Sequence, residues 1–329
     1  YRVYEVKKCT CDIIWDDLVK ESFQGTIFHS SVYLNSIGNK FKRYLVFKGI
    51  SVKAGFTIKA DEKFKCLSDD LVIYAGILFK NDSEMKKTKS ISSQFKISTQ
   101  IINFLLYNYQ SIKLTFSPHF IDFRPFQWYN YHSTKKDDKF IFNLRYTSYL
   151  DISEINSNKD FSKTKTFNNL SSLRKRLIRE AYTKKIEIKP TNDFSNFLKN
   201  YEILMSKSET PLTNNKKNNI KKLLNALMIQ NKLLITDTIN LSGNVIYSNV
   251  MGVDNKRAYY IFGAGNSKSD EKYKGTIAFW ETFKILNKVY NVNIVDLEGI
   301  NSPNRGAFKL SFGGEILHYF MLELKNNSV

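Results

Sequence analysis

A guanidinium projecting from the apolar side of a helix needs an anion. Over residues 170–184 the spacing predicts a helix, and at about 100° per residue Leu173, Leu177, Ile178 and Ala181 share one face. Arg174 falls in that sector, whereas Lys175, Arg176 and Arg179 point away. Burying a charge unpaired is costly. Arg174 therefore calls for a core Asp or Glu, or for a phosphate or carboxylate ligand that its fork can grip bidentately. A second cationic candidate is Lys309 in the run Asp296-Leu-Glu298-Gly-Ile-Asn-Ser-Pro-Asn-Arg-Gly-Ala-Phe308-Lys309-Leu-Ser-Phe-Gly-Gly-Glu315. Two turn clusters frame Phe308-Lys309. A lysine held between apolar neighbours there can present a fixed charge to a phosphate or a developing oxyanion; the plainer reading is a lysine snorkelling at a strand edge. Asp296 and Glu298, at the end of a predicted strand, are the candidate proton acceptors.

Two further stretches can bind anions or rings. In Asp122-Phe-Arg124-Pro-Phe-Gln-Trp128-Tyr-Asn-Tyr131, Trp128 and Tyr131 offer stacking surfaces beside Arg124. The alternative is a packed junction in which Asp122 pairs with Arg124. Gly263-Ala-Gly265-Asn266-Ser267 follows a predicted strand over 257–262 and precedes a predicted helix over 276–290, the order of a strand–loop–helix anion site. Turn chemistry alone could also demand those glycines.

The elements that must position these groups alternate between period-two and helical patterns, so the class is mixed α/β (α+β). Helices are expected over 13–23, 93–109, 193–206 and 220–230. Strands are expected over 44–50, 56–60, 71–79, 111–116, 140–150, 186–189, 232–240, 245–253, 292–297 and 316–324. Residues 151–168 are polar and poor in large apolar side chains, which marks a domain boundary. A polar stretch over 208–219 reads as a hinge.

The chain has 329 residues, 42% hydrophobic and 14% aromatic, enough for packed cores and against wholesale disorder. Fifty Lys and Arg against 31 Asp and Glu give a net charge of +19, which suits phosphate-bearing partners; a lysine- and asparagine-rich proteome would give the same excess. Cys9, Cys11 and Cys66 form an odd, small set that favours a reducing compartment. Cys9-x-Cys11 has no second ligand pair nearby, and His29, His119, His132 and His318 are scattered, so no metal site is expected. Residues 1–8 alternate and carry charge, unlike a signal peptide. With no apolar run of the roughly 18–20 residues that a span needs, cytoplasmic residence is expected.

Phe308-Lys309-Leu-Ser-Phe-Gly-Gly-Glu315 resembles the C-terminal signature of the FemAB-like transferases and the related BioF2-like acetyltransferase domains. The Asp122–Tyr131 stretch and the helix with Arg174-x-x-x-x-Arg179-Glu-Ala are similar to that group, and the resemblance extends from Phe28-His29-Ser30 to Phe320. It implies two tandem GCN5-related N-acetyltransferase-like domains, each a mixed sheet flanked by helices. Residues 1–155 would form the N-terminal one and 156–329 the C-terminal one with the Phe-Lys motif. It further implies an acceptor cleft between the halves. Phe308 and Lys309 would be the catalytic pair at the donor tRNA end. Arg174 would bind substrate, with Arg124, Asp122, Trp128 and Tyr131 joining it, and Gly263, Gly265 and Asn266 would hold the donor.

The implied activity is N-acyl transfer, with aminoacyl-tRNA as favoured donor and no permanently bound cofactor. The acceptor would be an amine of a nucleotide- or lipid-linked sugar or peptide precursor of the cell envelope. A monomer is expected, with peripheral contact at the inner membrane face. The alternatives are an acyl-CoA-dependent N-acetyltransferase of surface-polysaccharide amino sugars and a non-catalytic RNA- or glycan-binding module. Two features depart from the family pattern. Residues 208–230 are too short for the long helical-hairpin insertion of bridge-forming members, and the glycine loop only partly matches the Q/R-x-x-G-x-G/A pyrophosphate loop.

Overall fold

The computed structural model describes residues 4–38, 41–63, 65–208 and 211–325. The chain divides into two units, one running to Arg145 and completed by the segment from His318 onward, the other from Tyr146 to Leu317.

The first unit comprises β1 (Tyr4–Lys8), α1 (Asp12–Glu21), α2 (Ser31–Ser36), β2 (Phe41–Lys48), β3 (Ser51–Ala60), β4 (Cys66–Leu67), β5 (Ile77–Phe79), α3 (Lys87–Asn108), β6 (Ser111–Thr115), the single turn α4 (Arg124–Gln127) and the start of β7 (Ile141–Asp151). Its antiparallel sheet runs β1-β2-β3-β4, with β5 also on β3. The middle of β3, Ala54 to Ile58, is buried on both faces. Phe56 shares a core with Ile97, Ile101 and Leu105 of α3. A Cβ at Gly55 would come within 2.7 Å of Leu18 and 2.8 Å of Trp15, so only glycine lets α1 lie this close. The strand expected over 71–79 exists only at its end. Tyr74 is instead a buried loop anchor, edge-on to Phe28 and Tyr319. A short apolar run does not distinguish a buried loop from a strand.

The second unit continues with α5 (Lys165–Asn168), α6 (Ser172–Thr183), β8 (Glu187–Pro190), α7 (Ser195–Ser206), α8 (Asn214–Ile229), β9 (Leu233–Ile239), β10 (Val245–Val253), β11 (Ala258–Gly265), α9 (Lys274–Tyr290), β12 (Ile294–Asp296) and α10 (Pro303–Leu310). Its strands run in the order β7-β12-β11-β10-β9-β8. All neighbours are antiparallel except β11 and β12, which are parallel. The helix α9 is buried through Ile277, Phe279, Trp280, Phe283 and Leu286 in the core of this unit, together with Leu177 and Ile178 of α6. Among the described residues no helix is long and apolar enough to cross a membrane.

Residues 151–168 lie within the second unit, where Ile152, Ile155 and Phe167 are anchored in its core, and the compact units divide along the chain at 145/146. The last strand, β13 (Glu315–Lys325), pairs antiparallel with β6, and its Leu322 and Leu324 complete the first unit's core. Of the polar stretch over 208–219, Glu209 and Thr210 lie outside the described residues, as do Tyr1, Arg2 and Val3 of the alternating start.

One irregularity shapes the second sheet. Val250 of β10 opposes Phe262 and Met251 opposes Tyr260, leaving Ile261 without a counterpart. Residues two apart on a strand normally share a face. Across this bulge they do not: Tyr260 packs on Phe279 of α9, and Phe262 packs on Phe197 and Tyr201 of α7.

Candidate active site

The parallel pair β11 and β12 meets at only two registers, Ala258 with Val295 and Tyr259 with Asp296, and β12 then ends. The bulge at Ile261 follows at once on β11. Past the end of β12 the chain is pinned to β7, Leu297 N–H donating to Ser148 O and Ile300 N–H to Tyr146 O. Glu298 sits between these points with a left-handed backbone, φ +55. Then α10 begins with Pro303, whose missing N–H is no loss in a first turn. Gly306 is required there, since a Cβ would come within 2.6 Å of the Ile300 carbonyl oxygen.

Phe308 and Lys309, consecutive on α10, face different neighbours. The Lys309 ammonium donates to Gly299 O at 3.1 Å and stands 5.1 Å from the Tyr260 ring centre. It is 8% exposed, on a helix and turned inward, not snorkelling at a strand edge. Burial draws it below the ordinary lysine range, and the charges of Glu298 and Asp296 pull it back up. Asp296 is fully buried; its Oδ1 accepts from Thr147 Oγ1 at 2.6 Å and from Glu298 N–H at 2.8 Å.

Phe308 carries Arg174. The guanidinium lies 4.3 Å from the Phe308 ring centre, donates from Nε to Ser311 Oγ at 2.7 Å and from Nη1 to Thr276 Oγ1 at 2.5 Å. Thr276 belongs to the first turn of α9, and Ser311 directly follows α10. The Ser171 hydroxyl caps α6 by accepting from Arg174 N–H, and Ser171 N–H donates to Ser311 O, which brings the two segments together. Arg174 makes no ion pair with an acid among the described residues, and burial lowers its proton affinity without a compensating carboxylate. The core-acid alternative is thus not what the structure contains. The predicted face holds for Leu177, Ile178 and Ala181, but Leu173 is 46% exposed, because the helix starts only at Ser172 and its first turn lies at the rim.

The glycine stretch is a correction. Gly263 and Gly265 are strand positions of β11, opposite Asn249 and Tyr247, rather than members of a loop. The Tyr260 and Tyr247 hydroxyls fill the space over Gly263, and Lys274 and Tyr247 that over Gly265. Asn266 is engaged by the start of β10, donating from its backbone amide to Ile246 O and from Nδ2 to Val245 O, while its carbonyl accepts from Lys274.

The Asp122 cluster belongs to the first unit. Asp122 grips Arg124 bidentately, Nε to Oδ1 at 2.8 Å and Nη2 to Oδ2 at 2.7 Å, and the guanidinium holds that carboxyl below its usual range. The fork is therefore occupied, with Phe95 and Trp128 each 5.6 Å from the guanidinium carbon. The pair borders an open hollow of about 550 Å³ lined by Ile121, Phe123, Phe142 and Phe320. Trp128 and Tyr131 are 53% and 65% exposed and are not among its lining residues. Arg174, Phe308 and Lys309 are thus brought together in the second unit, while Arg124, Asp122, Trp128 and Tyr131 sit in the first.

No family model and no curated protein matches this sequence. Solved structures do match. FemX covers 96% of both chains with a TM-score of 0.64 at 11% identity. A tandem GNAT protein from the clavulanic acid biosynthesis pathway covers 97% of each chain with a TM-score of 0.54 at 8% identity. L-PGS from Bacillus licheniformis aligns over 97% of this chain and 93% of its own, with a TM-score of 0.54 at 9% identity. The chain has the FemX-like tandem GNAT fold.

Within this GNAT fold the sequence reading missed several neighbours of the site. The Tyr260 ring lies under Lys309, and its hydroxyl, together with the Tyr247 hydroxyl it interacts with, lies over Gly263. Thr276 and Ser311 hold Arg174 from 102 and 137 residues away, a separation that leaves no local pattern. A signal did exist for Tyr260: it lies three residues before Gly263, on a strand already predicted. Among the described residues no group of His, Cys, Asp and Glu is placed to hold a metal.

Proposed function

We propose that this chain is a FemAB-like N-acyltransferase that moves an aminoacyl group from aminoacyl-tRNA to an amine of a cell-envelope sugar or peptide precursor. The observation that carries the reading is the buried Lys309 ammonium, held over Tyr260 where β11 and β12 part. A fixed N–H donor in a water-poor site is worth most to charge that develops during reaction. In the transfer, the acceptor nitrogen attacks the ester carbonyl. The C–N bond forms, the C–O bond to the tRNA ribose breaks, and the proton lost by the amine ends on the ribose oxygen. Lys309 stabilises the oxyanion and the departing oxygen, Phe308 packs the donor end, and Arg174 grips a phosphate or carboxylate of the acceptor.

A tRNA donor is favoured over acyl-CoA for two reasons. The chain carries +19, and the glycines that could have cradled a pyrophosphate are strand positions covered by tyrosines. Such a reaction belongs in the cytoplasm, and a basic surface suits an approach to lipid-linked acceptors at the anionic inner leaflet. The test is to mix the protein with charged tRNA or acetyl-CoA and with amino-sugar or peptide precursors, and to look for a new amide by mass spectrometry. Product from tRNA alone supports the reading. Product only from acetyl-CoA replaces the donor, and no product from either removes the enzyme.

Arg174→Lys is expected to raise the acceptor KM by about tenfold or more with a smaller change in kcat, because one ammonium cannot stack on Phe308, bond both hydroxyls and still grip an anion. Steady-state kinetics at varied acceptor would show it; an unchanged KM would remove Arg174 from the binding site.

A further inference from the structure

The transfer scheme uses only the inward-turned Arg174 of α6 and leaves the outward face of that helix without a task. The face holds Lys175, Arg176 and Arg179, and Lys184 and Lys185 follow the last turn. Arg176, Arg179, Lys184 and Lys185 are exposed and make no ion pair among the described residues. Residues 163–185 contain eight Lys and Arg against one acid, Glu180, so 23 residues supply an excess of seven out of the chain's nineteen. A lysine-rich composition does not account for this. The chain has nine arginines among its fifty basic residues, and three of the nine stand at 174, 176 and 179. Helix stability does not account for it either. Lys175 and Arg176 lie near the positive end of the helix dipole, and Lys175 and Arg179, four apart, repel each other. Only Lys184 and Lys185 sit where the dipole favours a cation. We infer, on the basis of the aminoacyl-tRNA reading, that this face of α6 is the bed of the donor's acceptor stem: its cations track the phosphate backbone while the charged 3′ end reaches Phe308.

Helix α6 joins the site to the surface. In its first turn Arg174 lies 4.3 Å from the Phe308 ring centre, and Leu173, 46% exposed, opens the same turn to solvent. From there the twelve residues run about 18 Å. Leu177, Ile178 and Ala181 bury the opposite side in the core, which fixes the basic side chains outward. Two of these are braced against α5. The Arg179 guanidinium lies 5.2 Å from the Phe167 ring centre, and Lys175 Nζ donates to Asn168 O at 2.8 Å. A guanidinium stacked by its face keeps its edge N–H groups for phosphate oxygens. An RNA backbone fits this face better than a bilayer does. The exposed large apolar side chains of α6 are Leu173 and Tyr182, and the Tyr182 hydroxyl is tied to Glu281 and Trp280. That leaves no apolar face of the kind a membrane-lying helix buries.

The experiment is fluorescence anisotropy of the full-length protein with labelled, uncharged tRNA at several salt concentrations. The double variant Arg176→Gln with Arg179→Gln keeps both stems and good helix formers. It should weaken binding by about tenfold or more at low salt and lower the slope of log K against log salt by about 1.5–2. Lys221→Gln with Lys222→Gln removes the same charge from the exposed side of α8 and should change both far less. With charged tRNA, the α6 variant should raise the donor KM and keep kcat. Unchanged affinity in the α6 variant, or an equal loss in the α8 variant, overturns the inference. So does loss of binding to vesicles of equal phosphatidylglycerol and phosphatidylcholine with tRNA binding intact, which assigns the face to a membrane. The binding readout needs no turnover. Tight, α6-dependent binding in a protein that transfers from no donor would sink the acyltransferase reading and leave the RNA face standing; transfer from tRNA with an unmoved donor KM would do the reverse.

Discussion

Replacing Lys309 by alanine is expected to lower transfer by about 10²–10³-fold, the usual loss when a preorganised donor to a developing oxyanion is removed. The second unit should remain folded. Its core is built on Phe279, Trp280, Phe283 and Ile277, none of which depends on Lys309. The carboxyl left behind at Glu298 is already pushed well above the ordinary glutamate range by burial, so it can take up a proton instead of standing as a bare buried charge. The checks are kcat/KM with a thermal melt on the same preparation. A variant that melts like the parent and transfers at the parental rate would refute the catalytic role. A parent that binds tRNA or precursor without ever showing turnover, with binding little changed in the variant, would point to a binding module.

The second large effect concerns the paired glycines after Phe312. Gly313 has φ +83, and a Cβ there would lie well inside van der Waals contact with the Asn169 carbonyl oxygen. Neither element is free to yield: Asn169 precedes the cap of α6, and Ser171 is bonded to Ser311. Gly313→Ala should therefore destabilise the protein by about 2–4 kcal/mol, from the left-handed backbone and the backbone clash together. Gly243 provides the control. It has a similar φ of +77 with nothing within 4 Å of its missing Cβ, so Gly243→Ala should show only the conformational part, about 1 kcal/mol. Denaturant melts of the two variants would separate these contributions. Equal losses would mean that the Asn169 contact is not what requires glycine in the Phe-Gly-Gly-Glu segment.

The class of fold was legible because β10 and the faces of α6 and α9 carry strong period-two and helical patterns; β10 spans the predicted 245–253. Arg174 was legible for the same reason, as a charge inside an apolar sector. The helix α10 was not, since Pro303, Asn304 and Gly306 are poor helix formers and read as turns; what makes it a helix is the tether of Leu297 and Ile300 to β7. Gly263 and Gly265 looked like a loop because glycine weakens a strand pattern, whereas here it makes room for Tyr260 and Tyr247. The occupied fork of Arg124 follows from a pairing with Asp122 only two residues away, and the sequence offered it as one of two readings. The return of β13 to the first unit could not be read locally, because Leu322 and Leu324 would suit either core.

Ile261 gives β11 two phases. Before it, odd and even positions are assigned to the two helix layers one way; after it, the assignment is inverted. Filling that gap in the other strand, with one residue added to β10 between Val250 and Met251 so that Ile261 is paired, would put Phe262 in phase with Tyr260 and swing it from Phe197 and Tyr201 toward Phe279. Ile261 thus acts as a spacer: its unpaired step lets two residues of the same parity, Tyr260 and Phe262, serve opposite helix layers.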